Sequence, residues 1–122
     1  MKPSPVEWKD QPEDHNYPAA QSFLTLIFEE SAANALVEKL RGAPLSGFKA
    51  KDILRASGLS LLPTDNARVE RNREKISTGV ALSPILLVRD TARAKIILAD
   101  GYHRLCAVYS TDESAVMSCK IV

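Results

Sequence analysis

"ADGYHR", residues 99–104, lies between two apolar segments, and the fold prediction starts from it. The residues before it, 95–99, are rich in isoleucine and leucine and predict a strand. After it, Leu105, Val108 and Tyr109 fall at helical spacing, which predicts a helix over residues 103–110. The stretch therefore predicts a sharp junction between a strand and a helix, with polar side chains crowded at the corner.

The predicted corner has the features of an anion site. The first N–H groups of a helix have no carbonyl partners, and the helix dipole makes their position electropositive. Gly101 lets a ligand approach the backbone, and Arg104 supplies a planar donor suited to phosphate or carboxylate. His103 adds a donor whose charge changes near neutral pH. Phosphate is the ligand that such a site suits best.

Asp100 needs a separate role, because its carboxylate repels a bare phosphate. It is a candidate helix cap, a partner for Arg104, or a ligand of a phosphate-bound Mg²⁺ ion. The alternative is a corner without any ligand, in which Asp100 caps the helix and Arg104 forms a salt bridge. Short motifs of this kind are weak, so the six residues leave both interpretations open.

Length and charge limit the classes of function. The chain has 122 residues, enough for one domain with a single modest core. Its 16 Lys and Arg against 15 Asp and Glu give a formal net charge of +1. A protein that neutralises many nucleic-acid phosphates is usually more basic, so a DNA-binding or nuclease function is the least favoured hypothesis. A local basic patch keeps it testable through salt-dependent retention of DNA.

The sequence predicts a cytoplasmic protein with reduced thiols. Cys106 and Cys119 are too few for a disulfide scaffold, and no C-x-x-C pair indicates zinc or redox chemistry. The first residues lack the apolar stretch of a signal peptide. No apolar run has the length of a membrane span, so we expect no membrane partner.

The N-terminal half predicts an arm and helices. Four prolines within residues 1–18 predict an extended arm, which Trp8 and Tyr17 are placed to pin to the body. Residues 19–42 predict helix, with Ser31 as an N-cap that divides it in two. Its apolar residues are predicted to be core (Phe23, Leu24, Ile27, Phe28, Ala33, Leu36, Val37 and Leu40). Residues 48–62 fit a short strand or a short helix that ends at Gly58.

The C-terminal half predicts a small sheet with helices. Asp65 or Asn66 is placed to cap a charged helix that Gly79 closes, and the run from Arg68 to Lys75 is interpreted as a solvated face. Residues 84–88 and 95–99 predict two strands joined as a hairpin, and residues 118–122 predict a last strand. We expect one domain over residues 19–122, with a helical extension at 19–58 and a motif-bearing core at 61–122.

Three short boxes resemble one superfamily. Residues 101–107, GYHRLCA, resemble the G-E-R-R-x-x-A box of ParB-like proteins, and three of them match the G-C-H-R motif of sulfiredoxin. Residues 66–68, NAR, are similar to the N-P-R box that opens a helix in ParB-like domains. Ile76, Gly79 and Pro84-Ile85 then follow as in that family's helix, glycine turn and P-I-x-V strand. The similarity covers about residues 61–107.

The resemblance implies a ParB/sulfiredoxin-like α+β fold, a small mixed sheet packed on helices. In that superfamily the box binds nucleotide phosphates with Mg²⁺, and a related archaeal serine kinase transfers phosphate. By position, the phosphate- or nucleotide-binding residues here would be Gly101, Tyr102, His103, Arg104, Asn66 and Arg68. Asp100 and His103 are the candidate catalytic residues, and Asp100 is the candidate Mg²⁺ ligand.

The chain also departs from the family pattern. Tyr102 stands where sulfiredoxin has its reactive cysteine and where the partition proteins have a glutamate, so sulfinic-acid repair is not expected. Cys106 is predicted to be an inert core thiol. The chain has no room for the DNA-binding and dimerisation domains of a partition protein. The leading hypothesis is a nucleotide- or phosphate-binding module with phosphotransfer or hydrolysis as an extension. The alternative is a non-enzymatic interaction protein that uses the helices of residues 23–40 to form a homodimer or to dock a partner.

Overall fold

The computed structural model describes residues 5–122, in which five helices pack on a four-stranded mixed sheet. In chain order the elements are α1 (Asn16–Leu24), α2 (Glu30–Gly42), β1 (Ser46–Lys49), α3 (Ala50–Ser57), α4 (Ala67–Ser77), β2 (Ile85–Asp90), β3 (Lys95–Asp100), α5 (Tyr102–Thr111) and β4 (Val116–Ile121). The α+β class predicted from the sequence is confirmed.

The sheet has the strand order β1-β4-β2-β3. The β1–β4 and β2–β3 pairs are antiparallel, whereas β2 and β4 are parallel. Helix α5 makes the crossover that parallel neighbours require, since it leads from the β2–β3 hairpin to β4. The predicted hairpin and the predicted last strand are therefore confirmed, each with slightly different ends.

Helices cover both faces of the sheet. Along β2, Ile85 and Leu87 face a core shared with α3, α4 and α5, whereas Leu86 and Val88 face a second core shared with α1 and α2. A strand that is buried on both faces reads as a continuous apolar run, which is why residues 84–88 lack polar alternation. None of the helices described over residues 5–122 combines the length and the apolarity that crossing a bilayer requires.

The N-terminal arm is docked against the segment that precedes β2. Trp8 forms an isolated parallel bridge with Leu82, with Lys9 N donating to Leu82 O at 2.9 Å and Leu82 N donating to Glu7 O at 2.8 Å. Tyr17 is buried in the core of α1 and α2, so both predicted anchors are confirmed. Helix α1 begins at Asn16, within the predicted arm, and residues 1–4 of that arm lie outside the described range.

Two predictions about the first helices are wrong. The helical region breaks at residues 25–29, so Ser31 lies inside α2 and Glu29 is its N-cap. Phe23 and Ile27 are 42% and 45% exposed, whereas Leu24 is fully buried, as predicted. The chain leaves the helix at Leu24, and the helical periodicity that would bury Ile27 with Leu24 ends there.

The middle of the chain contains both elements that the sequence left as alternatives. Residues 46–49 form β1, and α3 follows directly and ends at Gly58, whose φ of 68° is a left-handed helix cap. Because β1 pairs with β4, residues of the predicted helical extension complete the same sheet as the motif-bearing core.

Candidate functional site

The strand-to-helix corner forms as the sequence predicts. Strand β3 ends at Asp100, Gly101 is the N-cap, and α5 begins at Tyr102. No side chain caps the helix, and its first turn holds no acidic residue. Leu105 N donates to Gly101 O at 2.9 Å, so the amides before it are those that a helix leaves without intrahelical partners. The corner is therefore electropositive through its backbone.

Arg104 is turned back into the protein. Its Nη1 donates to Ser83 O at 2.6 Å and to Pro84 O at 3.3 Å, and its Nη2 donates to Asp100 Oδ2 at 2.7 Å. The Arg104 side chain is 12% exposed and that of Asp100 is 19% exposed. Of the alternatives for Asp100, the structure realises the partner of Arg104. The guanidinium thus ties α5 to the segment before β2 and fixes the corner.

Burial raises the pKa of the Asp100 carboxyl, and the adjacent Arg104 opposes that rise. The two effects have the causes expected for a half-enclosed ion pair: removal from water disfavours the carboxylate, and the guanidinium restores it. A carboxylate held in this way has little freedom to swing towards a ligand, so Asp100 acts on the corner first through Arg104.

Gly101 is required by packing. Its φ is +121°, and a Cβ at this position would lie 2.6 Å from Ile85 Cβ and 3.2 Å from Arg104 Nη2. A side chain here would point into β2 and the ion pair. The fold itself therefore requires glycine here, and Gly101 also lines the cleft, where the expected approach of a ligand to the backbone stays a prediction.

Tyr102 and His103 lie at the start of α5 with different surroundings. The Tyr102 hydroxyl donates to Ser60 O, so the ring fastens the loop before α4 to the corner. Burial lowers the pKa of His103, and the Arg68 guanidinium lowers it further. At neutral pH, His103 is therefore a neutral imidazole with one donor and one acceptor nitrogen.

The corner opens into a cleft of about 290 Å³ between α5, α4 and the N-terminal arm. The helix α4 contributes Arg68, Arg71 and Lys75, with Asn72 between them. Positions 68, 71, 72 and 75 lie on one face of a helix. With Arg104, four cationic side chains line the cleft against the two carboxylates of Glu13 and Asp100.

The interpretation of residues 68–75 as a solvated face agrees with the exposure of Arg68, Arg71 and Lys75, and the structure adds that these residues line the cleft. Only Arg68 was predicted to reach a ligand, and that residue does line the cleft. Arg71 and Lys75 were missed, although their spacing from Arg68 by three and seven residues was visible in the sequence. The signal was ambiguous because the same helix carries Glu70, Arg73 and Glu74 on its remaining surface.

Asn66 has a structural role that keeps it from the cleft. Its Oδ1 accepts hydrogen bonds from Arg68 N at 3.0 Å and from Val69 N at 3.2 Å, which makes it the N-cap of α4. The capping prediction is confirmed. The structure does not bring Asn66 together with the other predicted ligand-binding residues, because it is absent from the residues that line the cleft.

The arm supplies a wall of the cleft that no pattern in the sequence predicts. Ser83 Oγ accepts a hydrogen bond from Glu13 N at 3.0 Å and donates to Asn16 Oδ1. Asn16 and Ser83 are 5% and 6% exposed. Because Ser83 O also accepts from Arg104, one residue joins the arm to the strand-to-helix corner. Glu13 and His15 thereby face the cleft.

The described residues hold no preformed cluster of metal ligands. Asp100 is the predicted metal ligand, but its Oδ2 is engaged by Arg104. Within residues 5–122, no group of three or more His, Cys, Asp or Glu side chains is arranged to hold a metal ion. Mg²⁺ that accompanies a nucleotide needs few protein ligands, so it enters only as a component of the binding experiment.

Neither of the two cysteines lines the cleft. Cys106 and Cys119 are fully buried in the core beneath α5. Burial raises the pKa of the Cys106 thiol and raises that of Cys119 to about 11. Since the thiolate is the nucleophile, neither group is reactive at neutral pH. The prediction of an inert core thiol at position 106 agrees with this environment.

Comparison with models of protein families, with curated proteins and with solved structures gives no match to this chain. The resemblance to ParB-like and sulfiredoxin-like proteins therefore depends on the three short boxes at residues 66–68, 76–85 and 101–107. Three features of the cleft bear on function: the cationic face of α4, the uncapped start of α5 and the corner that Arg104 fixes.

Proposed function

We propose that the cleft binds a small molecule through a phosphate group, with a nucleotide as the leading candidate. The observation that carries this proposal is the placement of Arg68, Arg71 and Lys75 on the wall beside the uncapped start of α5. Helix N-termini favour anions, and arginine pairs with phosphate through two parallel hydrogen bonds. The cleft volume is close to the lower limit for binding sites of small organic ligands.

The charge of the site is carried by α4 more than by Arg104. Arg104 is held by Ser83, Pro84 and Asp100. Its guanidinium therefore contributes positive charge and fixes the shape of the corner, but it does not offer a free pair of N–H donors to a phosphate. Arg68 and Arg71 lie on an exposed helix face, so they can reorient to meet a phosphate. In this proposal the α5 amides and His103 hold one side of the phosphate, and the arginines hold the other.

The family assignment is part of the same proposal. We propose that the chain is a ParB/sulfiredoxin-like module, in which Gly101, His103 and Arg104 occupy the positions of the phosphate-binding box. Its support is the order of the three boxes and the strand-to-helix corner at the third of them.

Isothermal titration calorimetry tests the binding function. ATP, CTP, GTP and inorganic phosphate are titrated into the wild-type protein with and without Mg²⁺. Arg71→Ala is expected to weaken binding roughly 10- to 150-fold, because a charged hydrogen bond is worth roughly 1.5–3 kcal/mol. The matched control is Arg73→Ala on the same helix, since Arg73 lines a separate cavity with Glu70 and Glu74. No binding at millimolar concentration, or equal losses in both variants, contradicts the proposal.

Turnover is a further step of this hypothesis, with His103 and Asp100 as candidate catalytic residues. The neutral His103 imidazole is suited to accept a proton from an attacking hydroxyl or water. Release of inorganic phosphate from bound nucleotide is the measurement. His103→Gln should abolish it, whereas binding should be weakened only slightly, because the glutamine amide still donates to the phosphate. A nucleotide that binds and remains intact would define the protein as a binding module without catalysis.

One observation favours the second candidate function, a non-enzymatic interaction protein. At the turn between α1 and α2, Phe23, Leu26 and Ile27 are exposed, with Leu26 at 84%. Exposed apolar patches mark contact surfaces more often than isolated apolar residues do. Light scattering tests self-association: Leu26→Ser should dissociate a dimer, whereas Val116→Ser, at an exposed position on β4, should not. A monomer at all concentrations contradicts dimerisation through this patch.

A further inference from the structure

The charge of the cleft is distributed unevenly along α4. Arg68 and Lys75 are seven residues apart, which separates them by about 10 Å along the helix axis. Arg68 interacts electrostatically with His103 at the start of α5. Lys75, in contrast, interacts electrostatically with Glu13 of the arm. The cleft therefore has a cationic end at α5 and an end where a carboxylate faces the lysine.

Glu13 is held at its end of the cleft by the backbone. Its N–H donates to Ser83 Oγ at 3.0 Å and to Asn16 Oδ1 at 2.9 Å, and both acceptor residues are buried. The carboxylate lies 3.2 Å from Lys9 Nζ and 3.4 Å from His15 Nδ1, and the side chain is 38% exposed. The hydrogen bond from Lys9 lowers the pKa of Glu13, so the group is charged at neutral pH.

We propose, on the basis of the phosphate-binding function above, that Glu13 determines which phosphate compounds the cleft accepts. A ligand with a single terminal phosphate places its charge at the α5 end and its neutral or cationic remainder beside Glu13. A chain of phosphates that extends towards Lys75 brings a second anion against the fixed carboxylate. The favoured ligand class is thus a phosphate monoester, which among nucleotides means a nucleoside monophosphate, and linear polyphosphates such as the triphosphate of ATP should bind more weakly.

The physical basis is the negative charge of Glu13. Its carboxylate is paired with Lys9, and Lys75 contributes a smaller electrostatic attraction, so a further phosphate at this end approaches a like charge that already has a partner. A hydroxyl or an amine on the ligand, by contrast, donates to the carboxylate. Because Glu13 belongs to the arm, the arm contributes to selectivity as well as to the wall.

The test compares the charge preference of the wild type and three variants. Inorganic phosphate, pyrophosphate and tripolyphosphate are titrated by calorimetry at constant ionic strength into wild type, Glu13→Gln, Glu13→Ala and Asp14→Asn. Asp14 is the matched control, since it is an exposed acid outside the cleft. Glu13→Ala is the second variant, because alanine retains the N–H that Ser83 and Asn16 hold.

In both Glu13 variants the affinity for tripolyphosphate should rise roughly three- to tenfold, and that for phosphate by about twofold at most. Asp14→Asn should leave the ratio of the two affinities unchanged. A ratio that does not change with Glu13 in a protein that binds phosphate overturns this inference alone. If neither wild type nor any variant binds the three anions, the proposed function fails with it.

Discussion

Gly101 sets the geometry on which the corner depends. At φ +121° the backbone adopts a conformation that residues with a Cβ rarely enter, and the missing Cβ leaves room for Ile85 and for Arg104 Nη2. The same residue therefore accommodates the tight passage from β3 to α5 and the ion pair that closes it. Glycine is therefore required at position 101 both for its backbone conformation and for the close packing around it.

Gly101→Ala is expected to destabilise the protein by about 2–5 kcal/mol. Backbone strain contributes roughly 1–3 kcal/mol, and the overlap with Ile85 a similar amount. Urea unfolding followed by circular dichroism measures the effect. Gly42→Ala is the control, because a Cβ at Gly42 meets nothing within 4 Å and the residue lies in α2. This control should be neutral or gain up to about 1 kcal/mol. Similar free energies of unfolding for the two variants would show that the corner relaxes around a side chain.

The sequence identifies the residues of the corner, but it predicts only some of their structural roles. The Asp100–Arg104 pair was among the stated alternatives, since positions four apart in a helical run can meet. The carbonyls of Ser83 and Pro84 that hold the same guanidinium lie about twenty residues away in the chain. No local pattern predicts such a partner, so the inward turn of Arg104 had to come from the structure.

At the scale of elements, α4 and the start of α5 act on each other electrostatically. Arg68 lies beside His103, and its charge disfavours the imidazolium form. Burial is the larger cause of the lowered pKa. The unfolded chain therefore takes up this proton first as the pH falls. Stability linked to neutral His103 is complete above the ordinary histidine value of about 6.5 and declines as the pH falls below it.

The titration of His103 followed by NMR tests this coupling. Its midpoint should lie below about 6.5 in the wild type. In Arg68→Ala the midpoint should rise without reaching the ordinary value, because the contribution of burial remains. Arg73→Ala, on a different face of α4, should leave it unchanged. If the midpoint does not change in Arg68→Ala, the charge of Arg68 does not act on His103. A bound phosphate should raise the midpoint, since an anion favours the protonated imidazole.

The elements themselves were largely predictable where period and composition agreed. The strands β2 and β3 are apolar runs of ordinary length, and α4 begins at an Asn that caps it. The α1–α2 region was harder because apolar residues continue past Leu24 through the turn. Leu26 and Ile27 extend the helical pattern, yet the chain has left the helix there, and no glycine or proline marks the break.

At the scale of the whole molecule, the arm is joined to the core by contacts between residues far apart in sequence. Trp8 pairs with Leu82, and Asn16 with Ser83, across more than sixty residues. The apolar anchors were predictable as anchors because large aromatic residues seek burial. Their partners were not, and without them the wall formed by Glu13 and His15 could not be placed. The cleft is therefore a property of the assembled fold, although its α5 end is visible in six residues.

Ser83→Ala tests whether polar contacts dock the arm. Ser83 is 6% exposed, and its hydroxyl accepts from Glu13 N and donates to Asn16 Oδ1. Loss of this buried hydroxyl should therefore lower the free energy of unfolding by about 1–3 kcal/mol. The backbone carbonyl that receives Arg104 remains, which confines the change to the arm. Amide exchange at Glu13 should accelerate, and the selectivity attributed to Glu13 should weaken with it.

Ser77→Ala, which removes an exposed hydroxyl bonded to Glu74 O, should change stability by less than about 0.5 kcal/mol. Equal stabilities and unchanged exchange would mean that the backbone bridge to Leu82 and the packing of Trp8 and Tyr17 hold the arm without the Ser83 hydroxyl.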